Sequence, residues 1–221
     1  MIGTNTRYWL KWTIACGAGE FLGIGVAAAI ATLHFRFLGE PHTAGQQSLF
    51  TLVMVSAGVI EGAVTGSFQW FVLKNRFVAV RARNWLGVTA LGAVIAWLLG
   101  VLPSMLFAGQ TSATPSTTAD LSMWQMALFG ALSGVVLGAV FGGFQWLEFR
   151  RHAAKAWRWI LANSVAWIPG LGIIFVGASV PQAGTSLFIV ITIATLSGLL
   201  GGLSVGAITG LFLITSKRME G

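Results

Sequence analysis

The chain has 221 residues, of which 56% are hydrophobic and only 9% are charged, and it carries a net charge of +7 and a mean hydropathy of +0.81. This composition excludes a soluble globular domain, because too few polar residues are available to cover its surface. The excess of bases does not indicate nucleic-acid binding, because the bases are spread over segments between apolar stretches and no polar domain is left to form a groove.

Six apolar stretches are long enough to cross a bilayer as helices, since one span needs roughly 20 residues. They cover about residues 12–34, 49–73, 85–107, 123–149, 159–179 and 185–216. A membrane β-barrel is excluded, because long runs of Ala, Leu, Val and Gly stand where a barrel strand would alternate. The predicted fold class is an all-α integral membrane protein, with one transmembrane domain over residues 1–221.

Lys and Arg concentrate in the segments that would lie at one face of the membrane. These segments carry Arg7, Lys11, Lys74, Arg76, Arg81, Arg83, Arg150, Arg151, Lys155, Arg158, Lys217 and Arg218, whereas Arg36 lies toward the other face. Because Lys and Arg in short loops are retained on the cytoplasmic side, both termini are predicted to be cytoplasmic. Residues 36–48, 108–122 and 180–184 are then the external loops.

The first span has the basic start and apolar run of a signal peptide. We expect it to remain in the protein, because it is the opening helix of the first hairpin. It contains Cys16, the only cysteine of the chain. Cys16 therefore cannot form an intramolecular disulfide and is predicted to be a packing residue.

Glycine recurs at every fourth position in the second, fourth and sixth spans. The recurring residues are Gly58, Gly62 and Gly66, then Gly130, Gly134, Gly138 and Gly142, then Gly198, Gly202, Gly206 and Gly210. Such a stripe lets another helix backbone approach closely, so we expect it to face protein. We predict that the three glycine helices pack near the centre, with the other three helices around them.

The glycine spacing also indicates an internal repeat. Phe68-Gln69-Trp70 and Phe144-Gln145-Trp146 follow two of the stripes, and each is followed at once by bases. Three tandem helical hairpins are predicted, at about residues 9–76, 81–152 and 156–218. Because every hairpin points the same way, a pseudo-threefold axis along the membrane normal is expected to relate them.

Tryptophan and glutamine gather near the predicted cytoplasmic helix ends. The tryptophans are Trp12, Trp70, Trp85, Trp146, Trp157 and Trp159. At that depth Trp typically anchors a protein at the membrane surface, so we predict an aromatic belt. Gln69 and Gln145 are predicted to cap helix carbonyls, with contacts to lipid headgroups as the alternative.

Two carboxyl groups lie inside the apolar spans, where charges are costly and usually functional. At 1.5 Å per residue, Glu20 lies about 13 Å from Lys11 and Glu61 about 20 Å from Lys74, so both fall near the midplane. Aligning the glycine ladders gives neither acid a counterpart in the later repeats. Thr65 shares the helix face of Glu61.

No Lys or Arg occurs within the six spans. Burial without a cationic partner disfavours an ionised carboxylate, so we expect Glu20 and Glu61 to be protonated or to share a proton. One interpretation is an ion-binding or proton-binding site that also includes Thr65 and Asn163. The other is a pair of protonated acids that are hydrogen-bonded to hydroxyl groups or backbone carbonyls.

The fifth span contains Asn163 and then Pro169-Gly170. Proline has no amide hydrogen and frees the carbonyl of Val165, so a kink or break is expected at Pro169 and Gly170. A broken membrane helix can line a cavity, and a kink in a closely packed bundle is the alternative.

The stretch from Glu61 to Lys74 has the pattern E-G-x-x-x-G-x-F-Q-W-x-x-L-K, and residues 19–23 match the corresponding first-helix motif. In this the chain resembles a set of prokaryotic six-span membrane proteins that repeat an E-G-x-x-x-G-x-x-Q-W-x-x-L-R motif in helical hairpins. The resemblance implies a bacterial inner membrane and supports both acids as motif positions, but it brings no known activity. The second repeat departs from the motif, with Leu137 in place of the acid.

Two functions remain open from the sequence. The first is a small transport or permeation bundle in which Glu20 and Glu61 bind a proton or a cation. The second is a noncatalytic accessory subunit that packs through its glycine helices inside a larger membrane complex, with bound lipid or pigment. An enzyme is not expected, because no nucleophile set, metal cluster or cofactor motif shares one depth.

Overall fold

The computed structural model describes residues 3–107, 122–182 and 184–217, and these contain six helices and no β-strand. The helices are α1 (Thr4–Leu38), α2 (Ala44–Leu73), α3 (Ala82–Phe107), α4 (Met123–Phe149), α5 (Arg158–Ala178) and α6 (Leu187–Thr215). Each is long and apolar enough to cross a membrane. The prediction of an all-α, multi-pass membrane protein is confirmed. Most of the predicted loop 108–122 and the base Arg218 lie outside the described residues.

Local sequence explains where several helices begin and end. Gly39 follows α1 with φ 74°, a conformation that suits glycine, and its N–H bonds to the Phe35 carbonyl at 3.0 Å. Thr43 and Gln46 form a capping box before α2, and Ser122 forms the same motif before α4. Helix α1 begins at Thr4 and not near residue 12. Its second turn packs on α6, where Trp9 Nε1 donates to the Ala207 carbonyl at 2.8 Å.

The six helices form a closed ring. Each helix packs against its neighbours in the chain, and α6 packs against α1. Within the described residues, the backbones of α2, α4 and α6 do not pack against one another. The predicted central packing of the glycine helices is therefore wrong, because each glycine face is already covered by a helix beside it in the ring.

The glycine faces lie against α3, α5 and α1 in turn. A Cβ atom would lie 2.7 Å from Ala90 Cα at Gly62, 2.6 Å from the Asn163 carbonyl oxygen at Gly138, and 2.6 Å from the Cys16 carbonyl oxygen at Gly202. Neighbours at 2.8 Å or less surround Gly58, Gly130, Gly134, Gly142, Gly198, Gly206 and Gly210, and Gly66 has a looser contact, with Thr89 Cβ at 3.2 Å. Any side chain at these positions would separate two helices.

Buried aromatic side chains hold one end of the ring together, where α1, α3 and α5 begin and the other helices end. This end is called the tryptophan end below. Its aromatic plug consists of Trp12, Phe77, Trp85, Phe149 and Trp159, which belong to one buried cluster. The ring centroids of Trp12 and Trp85 lie 5.9 and 6.3 Å from that of Trp159.

The aromatic plug corrects the predicted membrane-surface belt. Trp12, Trp85 and Trp159 are at most 1% exposed, so they cannot anchor at the surface. They lie at the inner face of the ring, and their side chains point toward one another. Trp157, by contrast, is 55% exposed and remains compatible with a surface position.

Helix α5 runs without interruption through Pro169, so the predicted helix break at Pro169 and Gly170 is wrong. A Cβ at Gly170 would lie 2.8 Å from Val205 Cγ2 of α6. The proline therefore sits beside a closely packed helix, and packing of this kind lets membrane helices tolerate proline.

Candidate functional site

Glu20 of α1 and Glu61 of α2 lie next to each other inside the ring. They are only 2% and 8% exposed. Glu61 packs against Gly23, three residues after Glu20, and Thr65, four residues after Glu61, bonds to Glu20. Glycine makes the space for both. A Cβ at Gly23 would lie 2.6 Å from Glu61 Cγ, and a Cβ at Gly202 would lie 2.7 Å from Glu20 Cβ.

The hydrogen bonds of the two acids come from neutral groups. Thr65 Oγ1 donates to Glu20 Oε1 at 3.3 Å, and Trp97 Nε1 of α3 donates to Glu61 Oε2 at 2.6 Å. Glu20 Oε2 is buried without a hydrogen-bond partner among the described residues. All ion pairs among the described residues involve Glu148, so neither Glu20 nor Glu61 belongs to one.

An inner cavity of about 260 Å³ lies beside Glu61. Its wall comes from α1 to α5 and consists of Ile24, Glu61, Ala93, Ala96, Trp97, Gly100, Leu137, Phe141, Trp167, Leu171, Ile174 and Phe175. Among the described residues, Glu61 is the only ionisable one in this wall. The surrounding side chains are aliphatic or aromatic, so the carboxyl group is the single strongly polar feature that a molecule in the cavity would meet.

An outer cavity of about 610 Å³ adjoins the inner one. The two cavities share Ile24, Trp97 and Ile174 as wall residues. The outer cavity extends to Glu40 and Gln182, which lie just beyond the ends of α1 and α5. Together the cavities lead from the helix ends opposite the tryptophan end to Glu61.

A polar layer separates Glu61 from the aromatic plug. Gln145 Nε2 donates to Gln69 Oε1 at 2.8 Å and to Thr89 Oγ1 at 3.1 Å. Gln145 Oε1 accepts from Trp159 Nε1 at 3.0 Å, and Gln69 Nε2 contacts Cys16 Sγ at 3.7 Å. All five side chains are at most 4% exposed. The centre of the ring is therefore filled at this depth.

The polar layer shows what sequence reasoning missed. Gln69 and Gln145 were expected to cap helix ends or to contact lipid headgroups, and both expectations are wrong. The two side chains bond to each other across the ring, because both glycine helices turn this position inward. Their repetition in Phe-Gln-Trp was the available signal, since polar side chains shared by two membrane helices favour a buried contact.

Asn163 is not brought to the carboxyl pair. It is 2% exposed, and its Nδ2 donates to the Trp159 carbonyl at 2.9 Å. Its neighbours are Gly138 and Gly142 of α4. Asn163 lines neither cavity, so its contacts are those of a residue between two packed helices.

Glu148 is a third buried carboxyl group that sequence reasoning did not single out. It is 4% exposed and lies at the tryptophan end. It accepts from Asn84 Nδ2 at 3.2 Å and lies 3.2 Å from His152 Nε2. The contact with Arg151 at 3.6 Å involves a side chain that is 64% exposed, so that ion pair contributes little stability. Glu148 ties α3 to the end of α4.

The chain matches no protein-family model, no curated protein and no solved structure. The described residues contain no group of three His, Cys, Asp or Glu side chains that could hold a metal ion. The chemistry that the site itself supports is the binding of positive charge, because two adjacent buried carboxyl groups lack a cationic side chain.

Proposed function

We propose that this protein is a small transport or permeation bundle in which Glu20 and Glu61 bind a proton or a cation. The side-by-side burial of the two acidic residues carries the proposal. Two ionised carboxylates side by side in an apolar interior would repel and would lack solvation. A proton or another cation supplied from outside the chain removes both costs.

The cavities supply the access that such a site needs. One wall residue of the inner cavity is Glu61, and the outer cavity continues toward Glu40 and Gln182. In the other direction, Gln69, Gln145 and the aromatic plug fill the ring. A site that is reached from one end and closed at the other is the arrangement from which alternating access proceeds.

Matching contacts at one level of the ring support three hairpin repeats. Gly66 lies beside Thr89, Gly142 beside Asn163 and Gly206 beside Cys16. Each of these partners stands four residues after the Trp that its odd-numbered helix contributes to the aromatic plug. These matching contacts support a pseudo-threefold axis through the plug.

The same contacts refine the repeat alignment by one helical turn. With Gly66, Gly142 and Gly206 equivalent, the counterparts of Glu61 are Leu137 and Gly201. If the last glycine of each stripe is aligned instead, Glu61 pairs with Leu137 and Val205. In either alignment the later repeats lack the acid, so packing of the repeat unit does not require it.

The distribution of bases supports a cytoplasmic tryptophan end. The loops that follow α2 and α4 lie at this end together with both described chain ends, since Arg76 Nη2 donates to the Ile214 carbonyl at 3.0 Å and Ala154 N donates to the Lys217 carbonyl at 3.0 Å. Basic loops are retained in the cytoplasm. We place the protein in a bacterial inner membrane, with both termini inside and the outer cavity facing outward.

The accessory-subunit alternative loses one of its arguments. It assigned the glycine stripes to contacts with other subunits, but Gly62, Gly138 and Gly202 pack on helices of the same chain. A larger complex would therefore have to use other surfaces. Stable co-purification of a second membrane protein, together with no measurable flux, would favour this alternative.

Proton flux into liposomes tests the proposal. Purified protein is reconstituted with a pH-sensitive dye trapped inside, and a K⁺ gradient with valinomycin sets the membrane potential. Wild-type protein is expected to conduct or exchange protons, and Glu61→Gln is expected to abolish the flux. Glu148→Gln is the matched control, because it makes the same change at a buried carboxyl outside the pair.

The outcomes of this experiment are distinct. Loss of flux in Glu61→Gln alone, with unchanged elution from a sizing column, supports the proposal. Equal flux in wild type and Glu61→Gln contradicts it. If the potential drives no proton flux, the same liposomes are tested with ²²Na⁺, and the absence of uptake of both ions contradicts the proposal.

A further inference from the structure

We propose that the inner cavity binds a hydrophobic amine, with its ammonium group at Glu61 and its apolar part against the aromatic wall. This inference rests on the proposed function, because it names the class of cation that the carboxyl pair accepts. It is carried by the composition of the cavity wall and by the buried oxygen of the neighbouring Glu20 that has no hydrogen-bond donor among the described residues.

The size of the inner cavity limits the ligand. Its volume is about 260 Å³, whereas a cavity of about 150 Å³ holds one benzene molecule. One aromatic ring with a short chain therefore fits. A flat dye of three or four fused rings does not fit without widening the ring of helices.

The wall favours an organic cation over an inorganic one. A hard cation needs several oxygen ligands, and Glu61 supplies the only carboxyl group that the described residues bring to this wall. Trp97, Phe141, Trp167 and Phe175 instead offer aromatic rings, which attract an ammonium group through their faces and pack against apolar groups. No Lys, Arg or His from the described residues lines the cavity to repel a cation.

A buried acceptor without a donor gives a second, independent sign of a ligand. Glu20 Oε2, which belongs to the carboxyl pair, has no hydrogen-bond partner within the described ranges. Buried polar groups are normally satisfied, and an ammonium group beside the carboxyl pair provides the donors that the acids lack.

Equilibrium binding of radiolabelled 2-phenylethylamine tests this inference. The probe has one ring, a short chain and an ammonium group at neutral pH. Binding to purified full-length protein in detergent is measured by scintillation proximity. Unlabelled 2-phenylethanol serves as the neutral competitor of nearly the same shape, and Glu148→Gln is the control protein.

Glu61→Gln is expected to weaken binding by about tenfold or more, because the buried charge loses its partner. Ala96→Leu, which keeps Glu61 and fills the inner cavity, is expected to weaken binding as strongly. Glu148→Gln is expected to bind as wild type does. 2-Phenylethanol is expected to compete at least about tenfold less well than the unlabelled amine, because it carries no charge.

Equal competition by the alcohol and the amine would overturn the inference, and so would unchanged affinity in both Glu61→Gln and Ala96→Leu. The results also distinguish a failure of the amine-binding proposal from a failure of the transport proposal. Glu61-dependent proton flux without binding of the amine rejects the amine and leaves the transport proposal standing. Glu61-dependent binding without any flux rejects transport and leaves an amine-binding site.

Discussion

Trp97 and Glu61 form the shortest side-chain hydrogen bond that links α3 to α2 in the described structure, with 2.6 Å between Nε1 and Oε2. Trp97 also lines both the inner and the outer cavity. One side chain therefore fixes the orientation of the carboxyl group and forms part of the wall between the two cavities.

Replacing Trp97 by Phe is expected to impair both stability and transport. The change removes the N–H that Glu61 accepts and leaves a buried carboxyl oxygen without its donor, which costs about 1–3 kcal/mol. The free energy of unfolding in detergent and the proton flux in liposomes are the measurements.

Trp124→Phe is the matched control for Trp97→Phe. Trp124 is 85% exposed, so the same substitution there is expected to change stability by less than about 0.5 kcal/mol. A Trp97→Phe protein that is as stable and as active as wild type would show that the hydrogen bond does not position Glu61.

The two acids are expected to behave as one unit in a double-mutant cycle. Because Glu20 and Glu61 are buried side by side where α1 packs on α2, the effects of Glu20→Gln and Glu61→Gln on stability should not add, and the interaction energy should be about 0.5–3 kcal/mol. Denaturant titrations of the wild type, both single variants and the double variant measure it.

The control cycle pairs Glu61→Gln with Glu148→Gln. Glu148 lies at the tryptophan end and shares no partner with Glu61, so the two effects should add within about 0.5 kcal/mol. Additivity in both cycles would mean that Glu20 and Glu61 do not form a common site.

The carboxyl pair could be predicted because its signal is local. Glu20 and Glu61 interrupt apolar stretches that are otherwise free of charge, and a charge at that depth is too costly to face lipid. Their distances of about 13 and about 20 Å from the same membrane face placed both near the midplane. The inner cavity beside them could not be predicted, because it depends on how far α3 and α4 stand apart.

The order of the helices around the ring could not be predicted from the glycine stripes. Gly202 indicates that another helix backbone lies close. The glycine stripe does not indicate whether that backbone belongs to α1 or to another glycine helix. Trp12 and Trp159 were misplaced for a related reason. A Trp near a helix end suits the membrane surface and a buried plug equally well, and the direction in which its side chain turns depends on packing.

Gly142 and Gly143 are adjacent in sequence, but replacing each by alanine is expected to change the stability of the protein in opposite directions. A Cβ at Gly142 would lie 2.8 Å from Asn163 Cβ and 3.1 Å from Ile160 Cα, whereas a Cβ at Gly143 would have no neighbour within 4 Å. Gly142→Ala is expected to destabilise the protein by about 1–3 kcal/mol through overpacking. Gly143→Ala is expected to stabilise it by about 0.5–1 kcal/mol, since alanine favours the helix.

Thermal unfolding of both glycine variants in one detergent provides the comparison. The pair controls for composition and position, because only the surroundings of the added methyl group differ. Equal effects of the two substitutions would contradict the close contact between α4 and α5.

Gln145→Leu is expected to destabilise the protein by about 1–3 kcal/mol, because it leaves the buried Trp159 N–H without an acceptor and removes the donor of Gln69. Gln182→Leu makes the same change at an exposed residue and should have little effect. Denaturant unfolding measures both. A small effect of Gln145→Leu would mean that the polar layer can rearrange its hydrogen bonds.

Single cysteines are expected to reveal a cytoplasmic tryptophan end. Ala79→Cys and Ala154→Cys place a thiol at exposed positions of that end, and His42→Cys and Gln182→Cys place one at the opposite end. An impermeant maleimide should label the first two only in inverted bacterial membrane vesicles and the last two only in right-side-out vesicles, because basic loops stay inside.

The native Cys16 does not obscure this labelling, because it is 1% exposed and lies within the ring. Wild-type protein should remain unlabelled in both kinds of vesicle. The reverse pattern would turn the outer cavity toward the cytoplasm, so that a substrate would reach Glu61 first from inside the cell. Labelling of one position from both sides would mean that the chain inserts in two orientations, and the bases would then not be numerous enough to fix its topology.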